Sequence, residues 1–414
     1  MKRRGCCKLA VSILLCARVL AGQQALKIGS GHQLFVDDYL IESMKGVSLK
    51  LHPPQPAGRA IAFDQPWEGN VSAYAKVFQD GDRYRLYYRG ASDPAYVRPS
   101  ALQPGEVVAP AHEQVACCAE SRDGIHWTKL RQEPIITDGA FDSLNLVFWD
   151  ARRELYVAIY RDFLQGVRML KCATSKDFLA WTRGQWADYG NAPAEHLYTS
   201  AATPYSRAPH IYLGFPKRFV PWRKAYDDVP GAGLSDAVFM TSRDGVRWDR
   251  RFLEAFVRPG RDRRDWVHRT RMVAAGVAPT APDEISLYVS RHYNFPSAHL
   301  ERMTLRTDGF VSVYADYRGG EFVTRPLAIE GSSLVLNYAT SAAGSIRFEI
   351  LDPNGHPLPG YGREQTKLLC GDHIADVIPL QSAKRRPGQG LEARPVRLRF
   401  LMQDADLYSL AIRD

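Results

Sequence analysis

One short polar signature recurs along this chain of 414 residues, and it constrains the fold more than any other feature. The copies read Ser121-Arg-Asp-Gly-Ile-His-Trp127, Ser175-Lys-Asp-Phe-Leu-Ala-Trp181, Ser242-Arg-Asp-Gly-Val-Arg-Trp248 and, in shorter form, Thr307-Asp-Gly-Phe310. They are spaced at intervals of about 60 residues, the scale of one supersecondary unit per repeat. Asp-Gly favours tight hairpins because both residues tolerate positive φ. The tryptophan that follows is then expected on the next strand, covering the edge between units.

Each signature closes a larger unit made of alternating or apolar strand patterns. The first has Ala73 to Phe78 and Tyr84 to Arg89; the second, Leu144 to Trp149 and Leu155 to Tyr160. The third has Thr199 to Tyr205 and His210 to Phe215, and the fourth Met272 to Val277 and Ile285 to Ser290. An arginine follows the second strand of every unit: Arg89, Arg161, Arg218 and Arg291. Four strands per unit, repeated, predicts a β-propeller. After Gly320 the pattern changes to sandwich-like strands at Ser332 to Tyr338, Ile346 to Leu351 and Val396 to Met402. The chain is therefore expected to be all-β, with a propeller over residues 33–319 and a C-terminal β-sandwich over 320–414. The propeller has four blades, or five if the strands from Leu34 to Phe63 complete another. The basic cluster at Lys384 to Arg386 is expected in an exposed loop.

Residues 1–22 read as a signal peptide, with a basic start, an apolar run from Leu9 to Leu15 and small residues at Ala21-Gly22. A secreted or periplasmic protein follows from that reading. The segment holds five basic residues and no acid, so its removal takes the net charge from +9 to +4. So small an excess gives no electrostatic footprint for nucleic acid. No later stretch is long and apolar enough to span a membrane as a helix. Cys117, Cys118, Cys172 and Cys370 remain, without zinc-like spacing, and the histidines also lack ligand spacing, so neither a metal nor another cofactor is expected. One disulfide or buried free thiols are both compatible with these cysteines.

Several stretches resemble a bacterial secreted family related to the propeller glycosidases of glycoside hydrolase families 32 and 43. They are Leu34-Phe-Val-Asp-Asp-Tyr-Leu-Ile41, Pro66-Trp-Glu-Gly69, Tyr84-Arg-Leu-Tyr-Tyr-Arg-Gly90, Gly139-Ala-Phe-Asp-Ser143, Glu195-His-Leu-Tyr-Thr199 and Arg207-Ala-Pro-His-Ile-Tyr212. Ala339-Thr-Ser-Ala-Ala-Gly-Ser345 and Asp404-Ala-Asp-Leu-Tyr-Ser409 also match. The resemblance implies a five-bladed propeller, a C-terminal sandwich and a carbohydrate substrate. The chain departs from it where Trp127 runs almost directly into Glu133-Pro-Ile-Ile-Thr-Asp-Gly-Ala-Phe-Asp142, with no room for the blade that relatives carry there.

Glu68, Asp142 and Glu195 fall shortly before or at the first strands of three successive units. Glycoside hydrolysis commonly uses two carboxylates, one as acid and one as nucleophile or base, and a third can orient the sugar. By analogy Glu195 is the general acid, oriented by His196; Glu68 or Asp64 the nucleophile or base; Asp142 the transition-state stabiliser. Arg89, Arg161, Arg218, Arg269, His210 and His292 are candidate hydrogen-bond donors to sugar hydroxyls or a uronate carboxylate. Trp67, Tyr198 and Tyr293 offer ring faces. Tyr74-Ala75 stands where better-known relatives carry an Asp-Pro element, so a catalytically inactive carbohydrate-binding propeller remains the alternative to a hydrolase.

Overall fold

The computed structural model describes residues 25–66, 68–80, 83–97, 102–111, 115–120, 136, 138–140, 143–229, 231–380 and 395–414. For 77–80, 83–89 and 115–120 the description is of the backbone alone. The leader, the hairpin ending at Trp127, Trp67, Asp142 and the Lys384 cluster lie outside these residues, as does the Arg89 side chain.

The architecture is a β-propeller joined to a C-terminal β-sandwich, and the helical elements among the described residues are two single 3-10 turns. Four antiparallel sheets follow in sequence order. The first contains Ala73–Asp80, Arg83–Gly90 and Val115–Glu120. The second runs Leu146–Asp150, Leu155–Leu164, Val167–Ser175, Gln185–Trp186. The third is built from Thr203–Tyr205, Ala208–Gly214, Met240–Ser242 and Trp248–Asp249. A small sheet of His196–Leu197, Lys217–Val220 and Leu234–Ala237 accompanies it. The fourth has Ala278–Ala281, Glu284–Arg291 and His299–Arg306, and takes its outer strand, Gln55–Ala62, from near the N-terminus. A parallel bridge between Lys76 and Ala275 joins the first sheet to the chain entering the fourth.

The two described full copies of the signature fold alike. Asp177 Oδ1 accepts from the backbone N–H of Leu179 and Ala180 at 2.9 and 2.8 Å, and Asp244 Oδ1 does the same with Val246 and Arg247. In each, the indole N–H donates back into the turn: Trp181 to Phe178 O and Trp248 to Gly245 O, both at 2.9 Å. One residue per turn takes the left-handed region, Phe178 (φ 67°) or Gly245 (φ 81°). The aspartate itself does not, so it serves as a side-chain cap on the turn (an Asx turn). The third-sheet hairpin lies on the seam with the second sheet, where Asp188 and Arg247 form a parallel bridge. Trp248 is buried in the propeller core.

The fourth copy behaves differently. Asp308 takes φ 62° itself and is fully buried, accepting from Tyr205 Oη (2.8 Å), Arg207 Nε (2.8 Å) and Ser409 Oγ (2.7 Å). His32 approaches it at 3.6 Å. One carboxylate therefore ties a propeller sheet, the N-terminal segment and the last strand together.

In the sandwich sheet Arg397–Arg413 pairs with Ser333–Leu351, Val311–Ala315, Gly320–Thr324 and, from the start of the chain, Gln33–Leu34; Asp372–Pro379 pairs with Ser333–Leu351, Ile41–Lys45 with Gly320–Thr324 and Val47–Leu51 with Val311–Ala315. Thus Leu34 to Leu51 joins the sandwich sheet, and Gln55–Ala62 completes the fourth propeller sheet. Two strands expected at Ser332 to Tyr338 and Ile346 to Leu351 are one 19-residue strand, with a register shift between Thr340 and Ser345. The small residues there make a bulge instead of ending the strand. Phe322, Phe348 and Phe400 fill the core, the Phe322 and Phe400 rings stacked at 5.0 Å. Among the described cysteines, Cys172 and Cys370 are free thiols, and burial pushes the Cys172 thiol up to about 12.

Candidate functional site

Three residues without the freedom of glycine sit in the left-handed region where the chain enters an innermost strand: Tyr74 (φ 61°), Ala201 (φ 42°) and Arg271 (φ 55°). Each costs on the order of 1–3 kcal/mol, so the same strain in three sheets marks the entry end as a constrained place. At Tyr74 it accompanies a register shift between Ala73 and Lys76.

Side chains from the sheets gather at this end around Tyr198, which is buried. The Lys217 amine stands 3.9 Å from the Tyr198 ring centroid, and the Arg161 and Arg168 guanidiniums 5.1 and 5.2 Å from it. Arg269 donates to Tyr293 Oη at 2.9 Å, and the hydroxyls of Tyr293, Tyr198 and Tyr74 act on its charge. The second sheet supplies Arg161 and Arg168, the small sheet Lys217, the first Tyr74, and the approach and loop of the fourth Arg269 and Tyr293.

Strand parity decides who belongs. His196 pairs with Phe219, their rings 6.3 Å apart, so the side chains of His196, Lys217 and Phe219 share the face toward Tyr198. Leu197 pairs with Arg218 on the opposite face. Glu195 lies there too: its two oxygens accept from Arg218 Nη1 at 3.2 Å and Arg250 Nη2 at 2.6 Å. Arg218 also grips Asp236 through Nε and Nη2 at 2.9 and 2.6 Å. Glu195 and Arg218 are thus brought together with each other, and His196 with the cation cluster.

The remaining candidates divide the same way. Glu68 is buried in a turn of its own, where its Oε2 accepts from the Gln65 N–H at 3.1 Å. Two residues on, Asn70 O accepts from the Asn294 N–H at 2.7 Å, next to Tyr293. Asp64 is exposed and accepts from Gln65 Nε2. Arg161 and Arg269 are in the cluster. His210 meets Gln33 Oε1 at 3.0 Å on the N-terminal seam, and His292 meets Ser297 and Asp262 in an ion network with Asp265. Arg291 belongs to that network, bonded to Asp265 and Glu301. Lys217, Arg168 and His268 were missed by sequence reasoning, which took the strand-end Arg218 and passed over its neighbour. The available signal was period-2 alternation along Lys217–Val220 combined with Tyr198.

Burial lowers the Lys217 amine well below its ordinary value, and Arg269, Arg168 and Arg161 push the same way. His268, whose carbonyl receives the Lys217 N–H at 3.3 Å, is pulled to about 3 by burial, then by Arg269 and Lys217. His196 is lowered by burial and by Arg168. The site is electropositive and aromatic. Among the described residues no three His, Cys, Asp or Glu side chains are grouped to hold a metal, and no helix is long and apolar enough to cross a membrane.

No family model matches the chain, and no curated protein matches it. Solved structures show loose likenesses. One is an N-acetylgalactosamine deacetylase from F. plautii, in complex with blood group B trisaccharide, at 11% identity and a TM-score of 0.34, covering 67% of this chain and 94% of that one. Another is a glycoside hydrolase at 15% identity and 0.38, covering 61% and 92%. A third is the catalytic domain of a Coprinopsis cinerea GH62 alpha-L-arabinofuranosidase at 12% and 0.28, covering 63% and 98%. The fold assignment rests on the sheets themselves.

Proposed function

We propose that this protein is an exported carbohydrate-active propeller whose entry-end cluster binds a glycan, and that it hydrolyses glycosidic bonds there by carboxylate chemistry. The observation that carries the reading is the convergence of Tyr74, Tyr198 and Tyr293 with Arg161, Lys217 and Arg269 from separate sheets. Tyrosine faces suit the apolar face of a sugar ring, and fixed cationic donors suit its hydroxyls. Glu195 is the general acid, Glu68 or Asp64 the nucleophile or base and Asp142 the transition-state stabiliser, in keeping with the resemblance to families 32 and 43.

A second reading, carbohydrate binding without turnover, is favoured by one observation: each Glu195 oxygen is already taken by an arginine, on the sheet face turned from Tyr198. The two separate by assay. Purified protein is offered a broad oligosaccharide panel, with reducing-sugar release and binding measured in parallel. Hydrolysis is expected to produce release from at least one glycan that Glu195→Gln or Glu68→Gln abolishes. Binding without release selects the second reading. Neither binding nor release refutes both.

A further inference from the structure

Buried cations in this protein are matched by carboxylates almost wherever they occur. Lys171 meets Asp138 and Asp162; Arg250 meets Glu195; Arg271 meets Asp265 and Glu301. That is the ordinary rule, since an unpaired buried charge costs several kcal/mol. The cluster around Tyr198 breaks it. Lys217 is 1% exposed, and among the described residues its amine has a single acceptor, His268 O at 3.3 Å. Arg269 has a single acceptor too, Tyr293 Oη at 2.9 Å, out of five N–H donors. Neither meets a carboxylate among the described residues. Arg161 and Arg168 add their charges within 5.2 Å of the same ring.

We propose that this cluster is a subsite for the negatively charged substituent of an acidic sugar, the carboxylate of a uronic acid or a sulfate ester, held by Lys217 and Arg269 beside Tyr198. The proposal rests on the reading of the cluster as the glycan site and narrows it to one substrate class. An anion here supplies Lys217 and Arg269 with the charged partner that the described residues do not provide. The desolvated setting makes each contact a charge-assisted hydrogen bond in low dielectric. The cations select the charged sugar over the neutral one.

The test is calorimetric titration of the full-length mature protein with three probes: trigalacturonate, its carboxyl-reduced trigalactoside, and a 6-sulfated galactose oligosaccharide. At least one anionic probe is expected to bind about tenfold or more tightly than the neutral one. That preference is expected to weaken with added salt and to vanish in Lys217→Met, which keeps the side-chain length without the charge. Arg269→Gln, at a half-buried position, is expected to lose the preference in the same way and serves if the first variant does not fold. The uronate and sulfate arms decide which anion is preferred. Equal or tighter binding of the neutral probe overturns the acidic-sugar proposal and leaves the glycan site standing. An anionic preference unchanged in both folded variants also overturns it. Failure of all three probes to bind overturns the acidic-sugar subsite, while the glycan reading stands or falls with the broad oligosaccharide panel.

Discussion

Asp308 is the side chain whose loss tests the architecture most severely. It is fully buried and accepts from Tyr205, Arg207 and Ser409, joining the third propeller sheet to the last sandwich strand. Burial opposes its ionisation, but the Arg207 charge and hydrogen bond, with His32 and Ser409, outweigh burial and hold the carboxyl below its ordinary value. Asp308→Ala removes the buried partner of Arg207, strands the Tyr205 hydroxyl and puts alanine at φ 62°, so the cost is about 4 kcal/mol. Asp308→Asn keeps the shape and tolerates that φ, but turns an amide toward the guanidinium and costs about 2 kcal/mol. At roughly 2 °C per kcal/mol for a large chain, the melting temperature falls by about 8 °C and 4 °C. Differential scanning calorimetry at pH 7 checks both. Because the native carboxyl is depressed, its contribution is full above the unfolded value near 4 and lost as pH falls through the native one. The gap between wild type and Asp308→Asn is therefore expected to persist at pH 5 and to close only below about 4. Two variants melting within 1 °C of wild type at pH 7 would refute this account of the junction.

Other expectations follow from the same structure. His32, His210, His268 and His292 are each lowered, to about 4, 4, 3 and 4, with burial as the largest cause. They favour the neutral form in the native state, so stability is full above about pH 6.5 and falls toward pH 4, with each adding up to about 1.4 kcal/mol per pH unit. Urea midpoints at pH 7.5 and 5 measure the drop, and a flat profile contradicts it. Gly245→Ala places a Cβ 3.0 Å from Cys172 Sγ at φ 81°, and is expected to cost about 1–2 kcal/mol by chemical denaturation. Since an anion beside Lys217 opposes the lowering of its pKa, trigalacturonate is expected to move the amine's titration upward, seen as a buffer-dependent binding enthalpy over the pH range in which it titrates.

The repeat carried the propeller because it is a local device: the Asp177 and Asp244 caps and the Trp181 and Trp248 return bonds are made within seven residues of chain. Strand periodicity located the first two strands of the first three units for similar reasons; in the fourth, Met272 to Val277 makes only isolated bridges and the strand forms at Ala278–Ala281. The partners of the N-terminal strands were invisible, since Gln55–Ala62 is an ordinary alternating segment whose mate lies at His299–Arg306. The site was half legible. Arg161, Arg269, Tyr198 and Tyr293 were named from position, whereas Lys217 required knowing which face of a short strand turns inward. Glu195 shows the converse: its place at the opening of a unit says nothing of Arg218 and Arg250, which arrive from other strands.

The pairing of Gln55–Ala62 with His299–Arg306 has a kinetic consequence. Arg59 cannot meet Glu301 until nearly the whole propeller has been made, and Leu34 waits for Ser409 still longer. Contacts of such sequence separation carry a large loop-closure cost and slow folding. During synthesis the early strands must therefore remain unpaired while the middle of the chain forms around them. Closure of the fold therefore waits for the last strand to emerge, whose Ser409 receives Leu34.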